Sequence, residues 1–394
     1  MPRVSAIAIV ALALAAAPAL AQKKYDPGAT DTTIRIGNIV PYTGAFAAYG
    51  NGARAEAAYY RMINDRGGVN GRKIEFITVD NASDVQKTVE LARKLVEQDK
   101  VLLIAGSLGT PQNLAIRGYM NEKQVPQLFV ASPADAFDDP SHFPWTTGFQ
   151  ATYRTEAGAY AQYILRARPN ARIGVLSADD DVGREYLDGL RAGLGARASA
   201  MIVRVETFRY GDVTTIDGQI AALKASGADV FMNLAFGTLS TQAIRSAYDT
   251  GWHPLQFVPN ASLSIAAFIE PAGLAKSTGI ITNARSKAIS DAVAQHDPAV
   301  RDYLDWIRQY TPKGSERDAA YVYGYELAQT LVEVLRKCGD DLTRANVLRQ
   351  ATHLDLEIGL LRPGIRITTS PADYRPIKQL FLVQFNGQEW VGLN

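Results

Sequence analysis

The chain has 394 residues, of which 47% are hydrophobic, 21% charged and 9% aromatic; this excludes a disordered or collagen-like chain, and the length predicts two domains. Lys and Arg total 41 against 40 Asp and Glu, so no strong field draws nucleic acid or an anionic membrane surface. The single cysteine, Cys338, excludes an internal disulfide and a cysteine-based zinc site.

Arg3, the apolar stretch 4–17 and Ala19-Leu20-Ala21 read as a cleaved secretory signal over residues 1–21. The mature protein is therefore expected to be exported, periplasmic and soluble. Residues 34–40 read as a strand and 51–65 as a helix stopping at Gly67-Gly68. Residues 73–79 alternate as a strand, and 84–98 repeat apolar positions as a helix. The wholly apolar 101–105 reads as a strand covered on both faces. A helix over 111–122 and a strand over 127–131 follow.

The rhythm restarts after a break near Thr146–Thr155. Helices are predicted over 157–165, 183–194, 219–225 and 241–249. Strands are predicted over 172–176, 202–207, 229–234 and 257–258. Such βαβ repetition demands parallel sheets flanked by helices, here in two α/β lobes. Longer helices come at 297–310, 318–337 and 343–351. Strands at 379–385 and 389–393 around Asn386-Gly387 read as a hairpin.

No motif supports catalysis, a metal or a cofactor. Gly50-Asn-Gly52-Ala-Arg-Ala55 matches a dinucleotide fingerprint, but it lies ten residues past the strand end at Val40. A pyrophosphate site needs the first glycine directly after that strand. The chain holds neither G-x-x-x-x-G-K-[ST] nor G-x-S-x-G. Asp179-Asp180-Asp181 reads as a solvated or N-capping run. His142, His253, His296 and His353 lack metal-ligand neighbours at helix or loop spacing.

The loops after the strands offer binding groups, where open α/β sheets take their ligands. Gly106-Ser107-Leu108-Gly109-Thr110-Pro111 leads into a helix, with Thr110 predicted as its N-cap. Outward-pointing amides there suit a carboxylate, although Thr110 could equally serve only its own helix. Ala131-Ser132-Pro133-Ala134-Asp135-Ala136 is a second such loop. In the first loop, Tyr42, Phe46 and Tyr49 either line an apolar cleft or simply pack.

Together these loops, with 63–72 (Ile-Asn-Asp-Arg-Gly-Gly-Val-Asn-Gly-Arg), 321–328 and 374–381, resemble the periplasmic branched-chain amino acid-binding family. The resemblance runs through the whole mature chain. It implies a type I periplasmic-binding fold: two doubly wound parallel-sheet lobes joined by three crossovers. It places one lobe at 32–150 plus 284–366 and the other at 151–283 plus 367–394. The carboxylate-binding hydroxyl and amide of the family correspond to Thr110, flanked by Ser107 and Gly109. The backbone contact corresponds to Ala134 and the first-loop aromatic to Tyr49. From the second lobe come Asp181, Val182, Phe236 and Gly237, with Tyr153 closing over the ligand.

Three positions depart from the family. Asn260 follows Pro259 where amino-acid binders carry an acid that pairs with the ligand ammonium. Ala136 replaces a hydroxyl, and Gly109 occupies the place of a cysteine. A desolvated ammonium without a carboxylate would be costly. The expected ligand is therefore a small hydrophobic or aromatic carboxylic acid, walled by Tyr42, Phe46, Tyr49, Phe149, Tyr153 and Phe236. The expected function is solute capture for an ABC importer, by a monomer that docks on an inner-membrane permease. The alternatives are an amino-acid or amide binder of this fold, a sensing subunit for a membrane receptor, and a secreted enzyme.

Overall fold

The structure, a computed structural model, describes residues 23–393. The expected signal over 1–21 lies outside the described residues. The first sheet begins with β1 (Thr33–Val40), whose Ile34, Ile36 and Ile39 are fully buried. A short turn of 3-10 helix leads into α1 (Asn51–Asp65), which buries Ala55, Ala58, Tyr59, Met62 and Ile63. Then come β2 (Lys73–Asp80), α2 (Val85–Glu97), β3 (Leu103–Ala105) and α3 (Thr110–Glu122). Two short strands, β4 (Gln127–Val130) and β5 (Thr146–Gly148), complete the sheet. Asp84 caps α2 by accepting the Lys87 N–H.

The second lobe opens with α4 (Tyr153–Ala167), β6 (Ile173–Ala178), α5 (Asp181–Leu194) and β7 (Ile202–Phe208). It continues through α6 (Asp217–Ala225), β8 (Val230–Asn233), α7 (Gly237–Asp249) and β9 (Leu255–Phe257). After β10 (Ile281–Ala284) the chain returns to the first lobe for α8 (Pro298–Tyr310), α9 (Ala319–Cys338) and α10 (Arg344–Ala351). It then crosses back for β11 (Phe381–Phe385) and β12 (Trp390–Gly392). The strand order is β2-β1-β3-β4-β5 in the first sheet and β12-β11-β10-β9-β8-β6-β7 in the second. All pairs are parallel except those made by β11 and β12, which run antiparallel at one edge. The lobes are thus doubly wound and joined by three crossovers, as the resemblance implies.

Several elements differ from the sequence-based expectations. α4 starts at Tyr153, four residues before its predicted start, because Thr152 caps it by accepting the Thr155 N–H. Residues 146–148, placed in the break, form β5: three residues are too few to show a period, and β4 supplies their pairing. The hairpin turns through four residues, 386–389, with Phe385 paired to Trp390; the Asn386 side chain accepts the Gln388 and Glu389 N–H groups and widens the turn. Residues 260–278 wind through short 3-10, π and α turns that no periodicity announces.

The largest core lies between the first sheet and α1, α8, α9 and α10. α1 and α9 touch backbone to backbone. A Cβ built on Gly324 would fall 2.0 Å from the Gly52 carbonyl oxygen and 2.8 Å from Ala55 Cβ. Neither neighbour is a flexible chain end, so the helices would have to separate. Gly324→Ala is expected to destabilise the protein by about 1–3 kcal/mol, read by urea denaturation.

Candidate functional site

A cavity of about 850 Å³ lies between the lobes. Its position follows from the strand orders. In the first sheet the winding reverses between β1 and β3, and in the second between β6 and β8. Loops leave such strands on opposite sides and open a crevice at their carboxyl ends. The cavity is lined from the first crevice by Val40, Pro41, Gly106, Gly109 and Thr110. From the second it is lined by Asp179, Asp180, Val182 and Phe236.

Thr110 is not an N-cap. It is the first residue of α3, and Gly109 precedes it at φ +105°, a conformation that favours glycine. The Thr110 hydroxyl lies 2.7 Å from Ser132 Oγ and 3.4 Å from the Tyr153 hydroxyl. All three residues are buried. No side chain caps α3, so this end of the helix faces the cavity with a cluster of three hydroxyls beside it.

Eight of the fourteen expected binding residues line the cavity: Phe46, Tyr49, Gly109, Thr110, Tyr153, Val182, Phe236 and Asn260. The other six do not border it. The Tyr42 hydroxyl bonds Thr78 Oγ1 at 2.7 Å, which holds the ring against β2. The Ser107 hydroxyl accepts the Ile39 N–H at 3.0 Å and ties β1 to the loop. The Ala134 N–H donates to Ser132 Oγ at 3.3 Å, while its neighbour Pro133 reaches the cavity. The Ala136 carbonyl accepts from Arg117. Asp181 is exposed and pairs with Arg184 one turn along α5, so Asp179 and Asp180 border the cavity in its place. Gly237 is buried and gives its N–H to the Tyr49 hydroxyl at 3.0 Å.

That last bond joins the lobes directly. The Tyr49 ring also sits 5.2 Å from Phe268, and Phe46 sits 5.0 Å from Tyr210, both across the cleft. Ser264 donates to Asp318 at 2.8 Å, and Arg317 pairs with Glu270. The lobes therefore meet through rings, hydrogen bonds and ion pairs, Arg154 with Asp135 and Arg375 with Asp138 among them.

Asn260 occupies its own amide. Its Nδ2 donates to the Asn283 carbonyl at 2.6 Å, and its N–H donates to Glu156 at 2.8 Å. Glu156 also accepts from the Tyr160 hydroxyl at 2.6 Å, and Asn283 donates to that hydroxyl at 3.0 Å. Burial pushes the Glu156 carboxyl up to about 7, against the opposing pull of these hydrogen bonds. Sequence reasoning passed over this network, and also Glu56, Gln150, Tyr210, Phe268, Arg285 and Tyr323, which line the cavity. The available signal was a charged residue on an apolar helix face: Glu56 follows Gly52 by four residues, and Glu156 lies in the first turn of α4. Arg285 is buried and donates to Glu326 at 3.0 Å, with its guanidinium over the Tyr323 ring. Among the described residues no three His, Cys, Asp or Glu side chains gather as a metal cage requires.

The periplasmic binding protein family model matches residues 33–389, and the chain belongs to that family. A relative from Pseudomonas aeruginosa, named an amino acid binding protein, is 26% identical over 214 residues, 53% of this chain and 54% of its own length. A Leu/Ile/Val-binding protein homologue from Brucella abortus is 24% identical over 332 residues, 80% of this chain and 81% of that one. Three solved structures share the fold. A fatty acid ABC transporter substrate-binding protein from Thermomonospora curvata has a TM-score of 0.80 at 22% identity, covering 94% of both chains. A branched-chain amino acid ABC transporter protein from Thermus thermophilus, with bound valine, has a TM-score of 0.80 at 18% identity, covering 92% of this chain and 96% of its own. A solute-binding protein from R. palustris, in complex with benzoate, has a TM-score of 0.77 at 17% identity, with the same coverage. Members of this family are extracytoplasmic solute-binding proteins, and the cleft between the lobes is where a solute would sit.

The Glu156 carboxyl carries its own pH signature. The folded state holds a proton up to about pH 7 that the unfolded chain releases near 4.5. The stability it contributes is full below the lower value and is lost as pH rises through the upper one. Glu156→Gln keeps an oxygen acceptor without that proton. The fall in unfolding free energy between pH 5 and pH 8 should therefore shrink by about 1–3 kcal/mol in the variant, measured by urea titration.

Proposed function

We propose that this protein captures a small carboxylic acid with an apolar or aromatic body and delivers it to the membrane permease of an ABC importer. The observation that carries the reading is the make-up of the cavity. The start of α3 supplies the hydroxyl of Thr110, and the start of α4 that of Tyr153. A helix N-terminus and convergent O–H donors suit a carboxylate. Phe46, Tyr49, Tyr153, Phe236 and Phe268 supply an apolar wall. At position 260, where the resemblance puts the partner of an amino acid's ammonium, stands an asparagine whose amide is bonded to Asn283. Relatives in fold that carry benzoate or serve fatty acids support a ligand of this class.

The lobes are taken as 32–150 plus 284–366 and 151–283 plus 367–394. The first lobe holds the carboxylate at Thr110. The second closes over it through Tyr153, Val182 and Phe236, and the ligand shifts the open–closed equilibrium by touching both. The closed face then docks on the permease. An exported, monomeric receptor fits this role, with the signal over residues 1–21 removed. The second reading, a branched-chain amino acid, is favoured by the names of the Brucella relative and the Thermus structure.

Calorimetry with benzoate, phenylpropanoate, octanoate and leucine separates the two. Binding of at least one acid and no binding of leucine is expected; tight leucine binding overturns the carboxylic acid reading. Thr110→Ala should weaken binding of the acid by about 1.5–3 kcal/mol if its hydroxyl donates to a charged group. An unchanged affinity would leave Thr110 only its bond to Ser132.

A further inference from the structure

One carboxyl in the cavity wall has a buried oxygen without a partner. Glu56 lies on α1, is 1% exposed and borders the cavity. Its Oε2 makes no hydrogen bond. It packs against Gly106, at the start of the loop that leads to Thr110. A Cβ on Gly106 would fall 2.7 Å from Glu56 Oε1, and φ there is +63°. Glycine at this position leaves room for the carboxyl beside the expected anion site.

The groups facing Glu56 are phenols. Tyr60 comes from α1 itself, Tyr42 from the first loop and Tyr323 from α9. The hydroxyls of Tyr60 and Tyr323 are also buried, the first against Glu56 and the second against Gln150, and Tyr323 borders the cavity. Two cations lie beyond these rings, and both are engaged elsewhere. Arg54 sits over the Tyr42 ring and donates to Asn51. Arg285 sits over the Tyr323 ring and donates to Glu326. Burial holds the Glu56 carboxyl well above the usual carboxylate range, against the smaller opposing pull of the Tyr60 hydroxyl.

We propose that Glu56 stays protonated in the receptor and donates that proton as a hydrogen bond to the ligand's carboxylate, making it a specificity-determining residue of the site. The proposal rests on the carboxylic acid reading. Around Glu56 the wall offers O–H donors, its nearest cations are engaged with other groups, and an anion supplies the acceptor. An O–H donor to a carboxylate gives a short, charge-assisted bond. An ionised Glu56 would instead set two like charges side by side. Anion binding is therefore linked to this proton: affinity is full while Glu56 is protonated and falls as pH rises through its raised value.

The test is calorimetry with benzoate, phenylpropanoate and octanoate from pH 6 to 9. With the acid that binds, the wild type should lose up to ~10-fold in affinity per pH unit once the proton is lost. Glu56→Gln keeps an N–H donor and should flatten that profile while binding at pH 6 within ~5-fold of wild type. Infrared spectra of the unliganded protein should show a protonated carboxyl band at pH 7 that Glu56→Gln removes, which checks the protonation state without any ligand. A flat wild-type profile, a slope that survives in Glu56→Gln, or absence of that band overturns the proposal and leaves the carboxylic acid reading standing. If leucine binds and no acid does, both fall. Loss of leucine binding in Glu56→Gln would then mark the residue as an ionised partner of an ammonium.

Discussion

The reversal of strand order inside each sheet is the constraint from which the site follows. A parallel sheet must send its connecting helices to both faces, and where the direction of winding changes the loops part. Each lobe has one such gap, between β1 and β3 and between β6 and β8. The three crossovers hold the two gaps opposite each other. Most groups that border the cleft therefore sit at a strand end or near the start of a helix, and the packed faces of the sheets are left to stability.

Much of this was legible in the sequence. The α1 boundaries and most strands follow from apolar spacing, because those elements bury one stripe or both faces in a large core. The strand-end loops marked the cleft, and the resemblance assigned Thr110, Tyr49 and Phe236 to it. Side-chain direction was not legible. Tyr42 and Ser107 lie in the same loops as residues that line the cavity, yet Thr78 and the Ile39 amide turn them into the sheet. Those partners are 36 and 68 residues away in sequence. Glu56 and Glu156 went unread for a related reason. A carboxyl on a helix is ordinarily solvated, and only the packing of α9 against α1, or of β9 and β10 beside α4, shows that these two are not.

The two buried carboxyls answer the same electrostatic problem in different ways. Glu156 is surrounded by donors: the Asn260 N–H and the Tyr160 hydroxyl, with Asn283 behind. Its environment is complete, and it fixes the turn that carries Asn260 toward the cleft. Glu56 has a free oxygen and faces open volume. A finished network of this kind specifies structure, whereas an unfinished one beside a cavity leaves an opening for a guest molecule.

The Tyr49 hydroxyl and the Gly237 amide form a clasp made wholly of protein atoms. A neutral hydrogen bond of this sort contributes about 0.5–1.5 kcal/mol. That contribution is identical for every cargo, so it tightens retention without improving discrimination. Selectivity is left to the few groups around the cavity, and under the proposed delivery the modest strength of the clasp would let the lobes part readily.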